Sequence, residues 1–191
     1  MSYDFAENHP LGTVWVTDRF SYLNIPRCAS VSIKTMMRNQ FAATEETTPQ
    51  GPLFTVIRDP FDRLVSGVIK YADHNHHDLD EVIEETIRRL RWPPFYPFDE
   101  HTTPQHVFIV HPVAAVLPVE DLRVRLPALF EEWGLPVPNM GRENVTDRSL
   151  TRRVADKLRP HYSPAVFPLD TTIYRHVSHS DTVQGIVASG S

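Results

Sequence analysis

The segment that most constrains the fold is residues 53–70, LFTVIRDPFDRLVSGVIK, where an apolar run stops at an arginine and a helix begins at once. Residues 53–57 are bulky and rich in β-branched side chains, and the proline-containing stretch before them excludes a helix, so they predict a buried strand. Asp59 is a favourable helix N-cap, and Pro60 fits the first helical position. Arg58 is therefore expected at the carboxyl end of a strand.

The helix that follows is expected to lie on a sheet, because five apolar residues recur at i, i+3, i+4, i+7 and i+8. They are Phe61, Leu64, Val65, Val68 and Ile69. Ser66 lies off this stripe. Arg58 beside a helix N-terminus with free N–H groups indicates an anion site at the edge of an α/β sheet. The alternative is an ordinary turn in which Arg58 pairs with surface carboxylates.

A second strand, loop and helix precede this one in the same order. Residues 13–16 and 20–25 predict two short strands, which form either a hairpin or a bent edge leading into a central strand, and residues 33–41 repeat apolar side chains at helical spacing. The small residues between them let a phosphate approach the backbone, while the first helical turn directs N–H groups toward it. The loop consists of Pro26, Arg27, Cys28, Ala29, Ser30, Val31 and Ser32.

Together the two segments resemble the sulfotransferases that use 3′-phosphoadenosine 5′-phosphosulfate (PAPS), especially the carbohydrate, Golgi-type enzymes. Residues 58–66, RDPFDRLVS, resemble their 3′-phosphate motif, which implies that Arg58 and Ser66 hold that group. Residues 26–32 are similar to their 5′-phosphosulfate loop, which implies that residues 28–32 bind the 5′ end. The family has lysine where Arg27 stands, and the resemblance implies that Arg27 stabilises the leaving phosphate with its retained charge.

The resemblance covers about residues 20–177 and implies one domain over residues 1–191, with a P-loop-like α/β fold whose central parallel sheet is flanked by helices. It implies an enzyme that moves a sulfuryl group from PAPS to a hydroxyl of a carbohydrate or other small alcohol, releasing PAP without a metal. One alternative is a non-catalytic PAP or PAPS binder. Another is a P-loop phosphotransferase, which is disfavoured because none of the seven glycines forms G-x-x-x-x-G-K-[ST].

A histidine or a carboxylate is expected as the general base. Residues 101–105, HTTPQ, are similar to a His-x-x-Pro-Gln element of the carbohydrate-type enzymes, so His101 is the first choice and Glu120 the second. The remaining candidates are His74, His76 and His77, in a segment predicted to be a solvated loop rather than a metal site.

Residues 91–105 are rich in prolines and aromatic side chains, which predicts a long loop. Trp92 and Tyr96, with Phe95 and Phe98, are expected either to form a wall for the acceptor or to close over the core. Gln105 and Glu120 are further candidate substrate contacts.

The rest of the chain predicts a strand over residues 114–120, helices over residues 79–90, 121–133 and 150–158, a final segment over residues 164–177, and a loose tail over residues 179–191. A net charge of −5 disfavours nucleic-acid and membrane-surface partners. One cysteine and the lack of a signal or apolar span favour the cytoplasm.

Overall fold

The computed structural model describes residues 12–92, 94–140 and 147–180, and in them it shows an α/β fold. Its strands are β1 (Val14–Val16), β2 (Ser21–Leu23), β3 (Thr44–Glu46), β4 (Leu53–Ile57) and β5 (Ala115–Pro118). Its α-helices are α1 (Ser30–Phe41), α2 (Pro60–His74), α3 (Leu79–Leu90), α4 (Leu122–Glu132), α5 (Arg148–Leu158) and α6 (Pro168–Ser178). The predicted tail from residue 181 onward lies outside the described residues.

The five strands form one sheet in the order β3-β1-β2-β4-β5. Strands β2, β4 and β5 are parallel, whereas β1 is antiparallel to both of its neighbours. The sheet is therefore mixed, and the expectation of a central parallel sheet holds only for three adjacent strands. The physical reason is the predicted hairpin: Thr17 Oγ1 accepts from the N–H groups of Arg19 and Phe20, and so tight a turn can join only antiparallel strands.

Strand β3 was not predicted. Its three residues are all exposed, and two of them are glutamates. It pairs with β1 at the edge of the sheet. Charged side chains are typical of edge strands, because they discourage pairing with another chain, but they also remove the apolar alternation by which strands are predicted.

The chain leaves β2 and β4 in opposite directions across the sheet. Helix α1 follows β2 and leads toward β3 on one side, whereas α2 follows β4 and leads toward β5 on the other. Adjacent parallel strands whose connections diverge leave a crevice at their carboxyl ends, which is where α/β sheets bind ligands. Residues 26–32 and 58–66, the two segments that resemble phosphate-binding motifs, follow β2 and β4 and therefore lie at this crevice.

The buried apolar side chains form two clusters. The first joins the sheet to α1 and α4, where the ring of Phe130 lies 4.9 Å from that of Phe20 and 5.9 Å from that of Phe54, centroid to centroid. The second contains the apolar stripe of α2 together with residues of α3 and α5. The stripe is thus buried as predicted, but it packs against helices and not against the sheet, because other helices cover this side of α2.

The aromatic segment after α3 divides between the two roles expected for it. Phe95 and Phe98 are buried in the second cluster. Trp92 and Tyr96 are 76% and 67% exposed. The guanidinium of Arg89 lies 3.8 Å from the centroid of the Phe98 ring and fixes the segment against α3. Closure over the core is therefore the role of the two phenylalanines.

The other helices follow the sequence closely. Helix α3 has the predicted bounds and is capped by the carboxylate of Asp78. Helix α4 is followed by Gly134, whose φ of 63° suits a residue without a Cβ. Helix α2 extends to His74, so the predicted histidine loop begins only at Asn75. Among the described residues, no helix has the length and apolarity that a membrane crossing requires.

Gly67 tests how tightly α2 packs against the segment before Gln105. A Cβ at Gly67 would overlap the backbone carbonyl of His101, and a backbone group cannot rotate away as a side chain can. We expect Gly67→Ala to lower the free energy of unfolding by about 1–3 kcal/mol despite the better helix propensity of alanine. Urea denaturation measures this, with Asn39→Ala at an exposed position of α1 as the control. Equal stabilities of Gly67→Ala and the wild type would contradict the close approach.

Candidate anion-binding site

The two segments singled out in the sequence meet through one side-chain contact. Arg27, in the loop after β2, donates from Nε and Nη2 to Ser66 Oγ in α2, at 2.9 and 2.7 Å. The two residues are 39 positions apart in the chain. The structure therefore joins the candidate 5′-phosphosulfate loop and the candidate 3′-phosphate motif into one site.

The loop over residues 26–32 has an unusual backbone. Arg27 and Ala29 have φ angles of 68° and 56°, a left-handed region that residues with a Cβ adopt only when the surroundings enforce it. Two hydrogen bonds hold the loop: Cys28 N donates to Ile25 O at 3.3 Å, and Arg63 Nε donates to Pro26 O at 3.0 Å. A left-handed residue followed by a right-handed one, as Ala29 is followed by the first residue of α1, is typical of backbone concavities that bind anions.

Helix α1 begins at this loop without a side-chain cap. Its N-cap residue is Ala29, which makes no side-chain hydrogen bond to the first turn, and no acidic residue lies in that turn. The partial positive charge of the helix N-terminus is therefore not offset by a carboxylate of its own. This end of α1 suits an anionic group.

The N-terminus of α2 differs, and the expectation of free N–H groups there is wrong. Asp59 Oδ1 accepts from the N–H groups of Phe61 and Asp62, both at 3.0 Å. The capping carboxylate brings a negative charge to the position where an anion would otherwise bind. Any anion near this turn must therefore be held by the side chains of Arg58 and Ser66.

Three arginines concentrate positive charge at the crevice. Burial lowers the pKa of the Arg27 guanidinium, and the nearby charges of Arg58 and Arg63 lower it further. Among the described residues, none of the three forms an ion pair with a carboxylate. Clustered guanidinium groups without carboxylate partners are typical of sites that bind phosphate or sulfate.

Arg63 is the buried member of this group, and the sequence analysis did not predict a role for it. Its side chain donates to three backbone carbonyls: Pro26 at 3.0 Å, Thr103 at 2.5 Å and Glu100 at 3.2 Å. It also lies 5.7 Å from the centroid of the Phe108 ring. Arg63 is thus a structural cation that ties α2 to the 26–32 loop and to residues 100–103. Its position beside the apolar stripe of α2 was the available signal.

Gln105 lies under the site and not on its surface. It is 2% exposed, and its side-chain amide bonds to the backbone N–H and C=O of Arg58 at 2.8 and 2.9 Å. Cys28 Sγ also donates to Gln105 Oε1 at 3.1 Å. Burial raises the pKa of the Cys28 thiol to about 11, so it stays protonated and can donate. These contacts favour a positioning role for Gln105 over the predicted contact with substrate.

The two predicted bases lie in different places. His101 Nδ1 is 2.8 Å from Asp99 Oδ2, and its ring centroid is 6.3 Å from that of His74, the last residue of α2. The backbone carbonyl of His101 packs against Gly67 in the middle of α2, so His101 lies beside the helix between His74 and the end that Arg58 precedes. Glu120 is exposed and follows β5, with Oε1 3.5 Å from the N–H of Asp59. Glu120 therefore borders Arg58 more directly than His101 does.

A second histidine and carboxylate pair was missed. His106 Nδ1 is 2.7 Å from Asp170 Oδ1, and Asp170 also accepts from the backbone N–H groups of Gln105 and His106. The Asp170 side chain is 2% exposed and that of His106 is 32% exposed. A buried carboxylate on Nδ1 favours the tautomer whose Nε2 is an acceptor. The 64 positions between the two residues hid this pair from the sequence.

The remaining predicted residues do not gather at the loop. Trp92 and Tyr96 are exposed and follow α3. His77 packs against Tyr71 with the rings tilted and their centroids 5.4 Å apart. The ligand atoms of Asp99, Glu100 and His101 lie within 4.8 Å of one another, but these residues also cap and order their own turn.

No family model, curated protein or solved structure matches this chain. The site must therefore be interpreted from its own geometry. That geometry consists of two adjacent strand-to-helix turns, which the contact between Arg27 and Ser66 joins, with Arg58 and Arg63 close to Arg27.

Arg63 offers a test of how the site is held together. Lysine keeps the charge, but its single nitrogen cannot occupy the three positions from which Nε, Nη1 and Nη2 of Arg63 donate. We therefore expect Arg63→Lys to lower the free energy of unfolding by about 2–3 kcal/mol. Chemical denaturation measures the change. The control is Arg123→Lys at an exposed position of α4, which should be within about 0.5 kcal/mol of the wild type. Similar stabilities of the two variants would show that the fan of hydrogen bonds is dispensable.

Proposed function

We propose that the protein is a sulfotransferase with a P-loop-like fold that moves a sulfuryl group from PAPS to an acceptor hydroxyl. The observation that carries the proposal is the contact between Arg27 and Ser66. It brings together the two segments that resemble the donor-binding motifs of that family, at the crevice where α/β sheets bind ligands. In the part of the chain that the structure describes, the three arginines have no carboxylate partner, which supports an anionic ligand.

Each end of the donor has a candidate partner. The Arg58 guanidinium makes no hydrogen bond or ion pair with any described residue, so its donors are available for the 3′-phosphate. Ser66 Oγ accepts from Arg27 and keeps its own O–H to donate to the same phosphate. Residues 28–32 and the uncapped N-terminus of α1 would take the 5′-phosphosulfate.

The reaction needs an in-line acceptor, a partner for the leaving group and a base. The acceptor oxygen attacks sulfur, the bond between sulfur and the bridging oxygen breaks, and the electron pair moves onto the 5′-phosphate of PAP. Arg27 would stabilise that charge, since two of its five N–H donors point to Ser66 and three remain. Glu120 lies beside Asp59, the residue after Arg58, and His106 follows Gln105, which bonds the backbone of Arg58. We therefore propose one of them as the base in preference to His101.

The acceptor is proposed to be a carbohydrate or other small alcohol in the cytoplasm, with no nucleic-acid or membrane partner. The net charge of −5 supports the exclusion of polyanionic partners. A second candidate function is a PAP or PAPS binder without activity. Arg27 in the place of the family's lysine favours it, because arginine cannot give up a proton.

The Arg58 assignment predicts a loss of affinity for PAP. Arg58→Ala removes a charge-assisted contact to the 3′-phosphate, so we expect calorimetry to show binding weaker by about 1.5–3 kcal/mol. Arg123→Ala on the surface of α4 is the matched control and should bind PAP as the wild type does. Unchanged affinity in Arg58→Ala would refute the assignment, and tighter binding of ATP than of PAP would favour the phosphotransferase.

The Arg27 assignment separates an enzyme from a binder. If Arg27 stabilises charge on the leaving phosphate, Arg27→Ala should lower turnover by about 10²-fold or more while donor affinity falls much less. Arg27→Lys should keep substantial activity. Transfer from labelled PAPS to glycans, lipids and small alcohols measures both. A wild type inactive toward every acceptor, together with an active Arg27→Lys, would identify a donor-binding protein that has lost catalysis.

A further inference from the structure

The buried amide of Gln105 substitutes for a missing strand next to Arg58. The last residue pairs of β4 with its neighbours are Leu23 with Thr55 and Ile57 with Pro118. Arg58 follows immediately, where neither neighbouring strand continues the ladder. Gln105 Oε1 accepts from Arg58 N–H at 2.8 Å, and Gln105 Nε2 donates to Arg58 C=O at 2.9 Å. The side-chain amide thus presents the same donor and acceptor as a peptide group.

This pairing fixes how the Arg58 side chain leaves the backbone. A residue at the end of a strand with unpaired N–H and C=O groups would be free to change its φ and ψ angles, and these angles direct the side chain. Two hydrogen bonds from one rigid amide remove that freedom. The next residue, Asp59, already caps α2. Arg58 is thereby held between a fixed strand and a fixed helix.

Gln105 is itself held from two sides. Its backbone N–H donates to the buried carboxylate of Asp170 in α6 at 2.7 Å, and its Oε1 also accepts from Cys28 Sγ at 3.1 Å. The amide consequently touches both candidate phosphate segments: Cys28 in the 26–32 loop and Arg58 after β4. With 2% of its surface exposed, it reaches neither ligand nor solvent.

We propose that Gln105 is the positioning residue that gives the site its preference for a 3′-phosphorylated nucleotide, acting through Arg58. This inference rests on the proposed function, because it assigns Arg58 to the 3′-phosphate of PAP. Gln105 adds no contact of its own. It keeps the Arg58 guanidinium in the orientation in which that phosphate is bound, so that less orientational freedom is lost on binding.

The test compares two nucleotides that differ only in the 3′-phosphate. Gln105→Met keeps the length and approximate shape of the side chain but removes the amide. We expect calorimetry to show about tenfold weaker binding of PAP. Binding of AMP should be nearly unchanged, because AMP does not reach Arg58 and the 26–32 loop is still held by the bonds from Cys28 N to Ile25 O and from Arg63 Nε to Pro26 O. Retained AMP binding also shows that the variant is folded.

The chain offers a closely matched control. Gln40, at the exposed end of α1, makes the same pair of amide hydrogen bonds with the backbone of Asn139, at 2.6 and 2.9 Å. Gln40→Met therefore removes an equivalent pairing away from the crevice. It should leave the affinities for PAP and AMP as they are in the wild type.

A double-mutant cycle separates action through Arg58 from general loosening. In the Arg58→Ala background, Gln105→Met should have no further effect on PAP binding, since the group it positions is gone. Three results would each overturn the inference. The first is that Gln105→Met weakens PAP binding as much in the Arg58→Ala background as in the wild type. The others are that Gln105→Met weakens PAP and AMP binding equally, or that it leaves the preference for PAP over AMP unchanged. A wild type that does not prefer PAP over AMP would instead overturn the proposed function, and it would be recognised before any substitution is made.

Discussion

The buried guanidinium of Arg63 is the interaction on which the site depends. A charge removed from water is costly unless polar groups surround it, and here three backbone carbonyls and an aromatic ring do so without a directly bonded carboxylate. The carbonyls belong to the 26–32 loop and to residues 100–103, while the cation belongs to α2. One side chain therefore sets the distance between three segments that are far apart in sequence. Its hydrogen bond to Pro26 C=O also holds the backbone next to Arg27, where φ is left-handed.

The electrostatics of the site follow from this choice of partners. The groups bonded directly to Arg63 are carbonyl dipoles, which solvate its charge without cancelling it, while the carboxylates of Asp170 and Asp99 act on it only through space. The effect is visible at Arg27, whose guanidinium has its pKa lowered by burial and by the two neighbouring arginines. Such mutual repulsion is relieved when an anion binds. The protein can thus carry a net charge of −5 and still present a locally positive site.

The parts of the fold that are local in sequence were predictable, and those that depend on distant partners were not. The hairpin, the bounds of α3 and the stop of α4 at Gly134 all follow from spacing and turn chemistry. The resemblance of residues 58–66 to a phosphate motif singled out Arg58 and Ser66, and the contact of Ser66 with Arg27 is found in the structure, but their role in binding stays a prediction. The capping role of Asp59 was also predicted, but its consequence was missed: a carboxylate that satisfies the first N–H groups of α2 also removes them from an anion.

The residues that support the site lie outside the motif of residues 58–66, and the spacing of residues in the sequence does not predict them. Gln105 and Asp170 are 47 and 112 positions from Arg58, and each is polar, buried and bonded to a backbone group. Sequence patterns report which residues are apolar on one face, so a buried polar residue looks like a surface residue until its partner is known. In the proposed site, the short motif between Arg58 and Ser66 would present the candidate ligand-binding groups, while Gln105 and Asp170 from the later half of the chain would hold them in place.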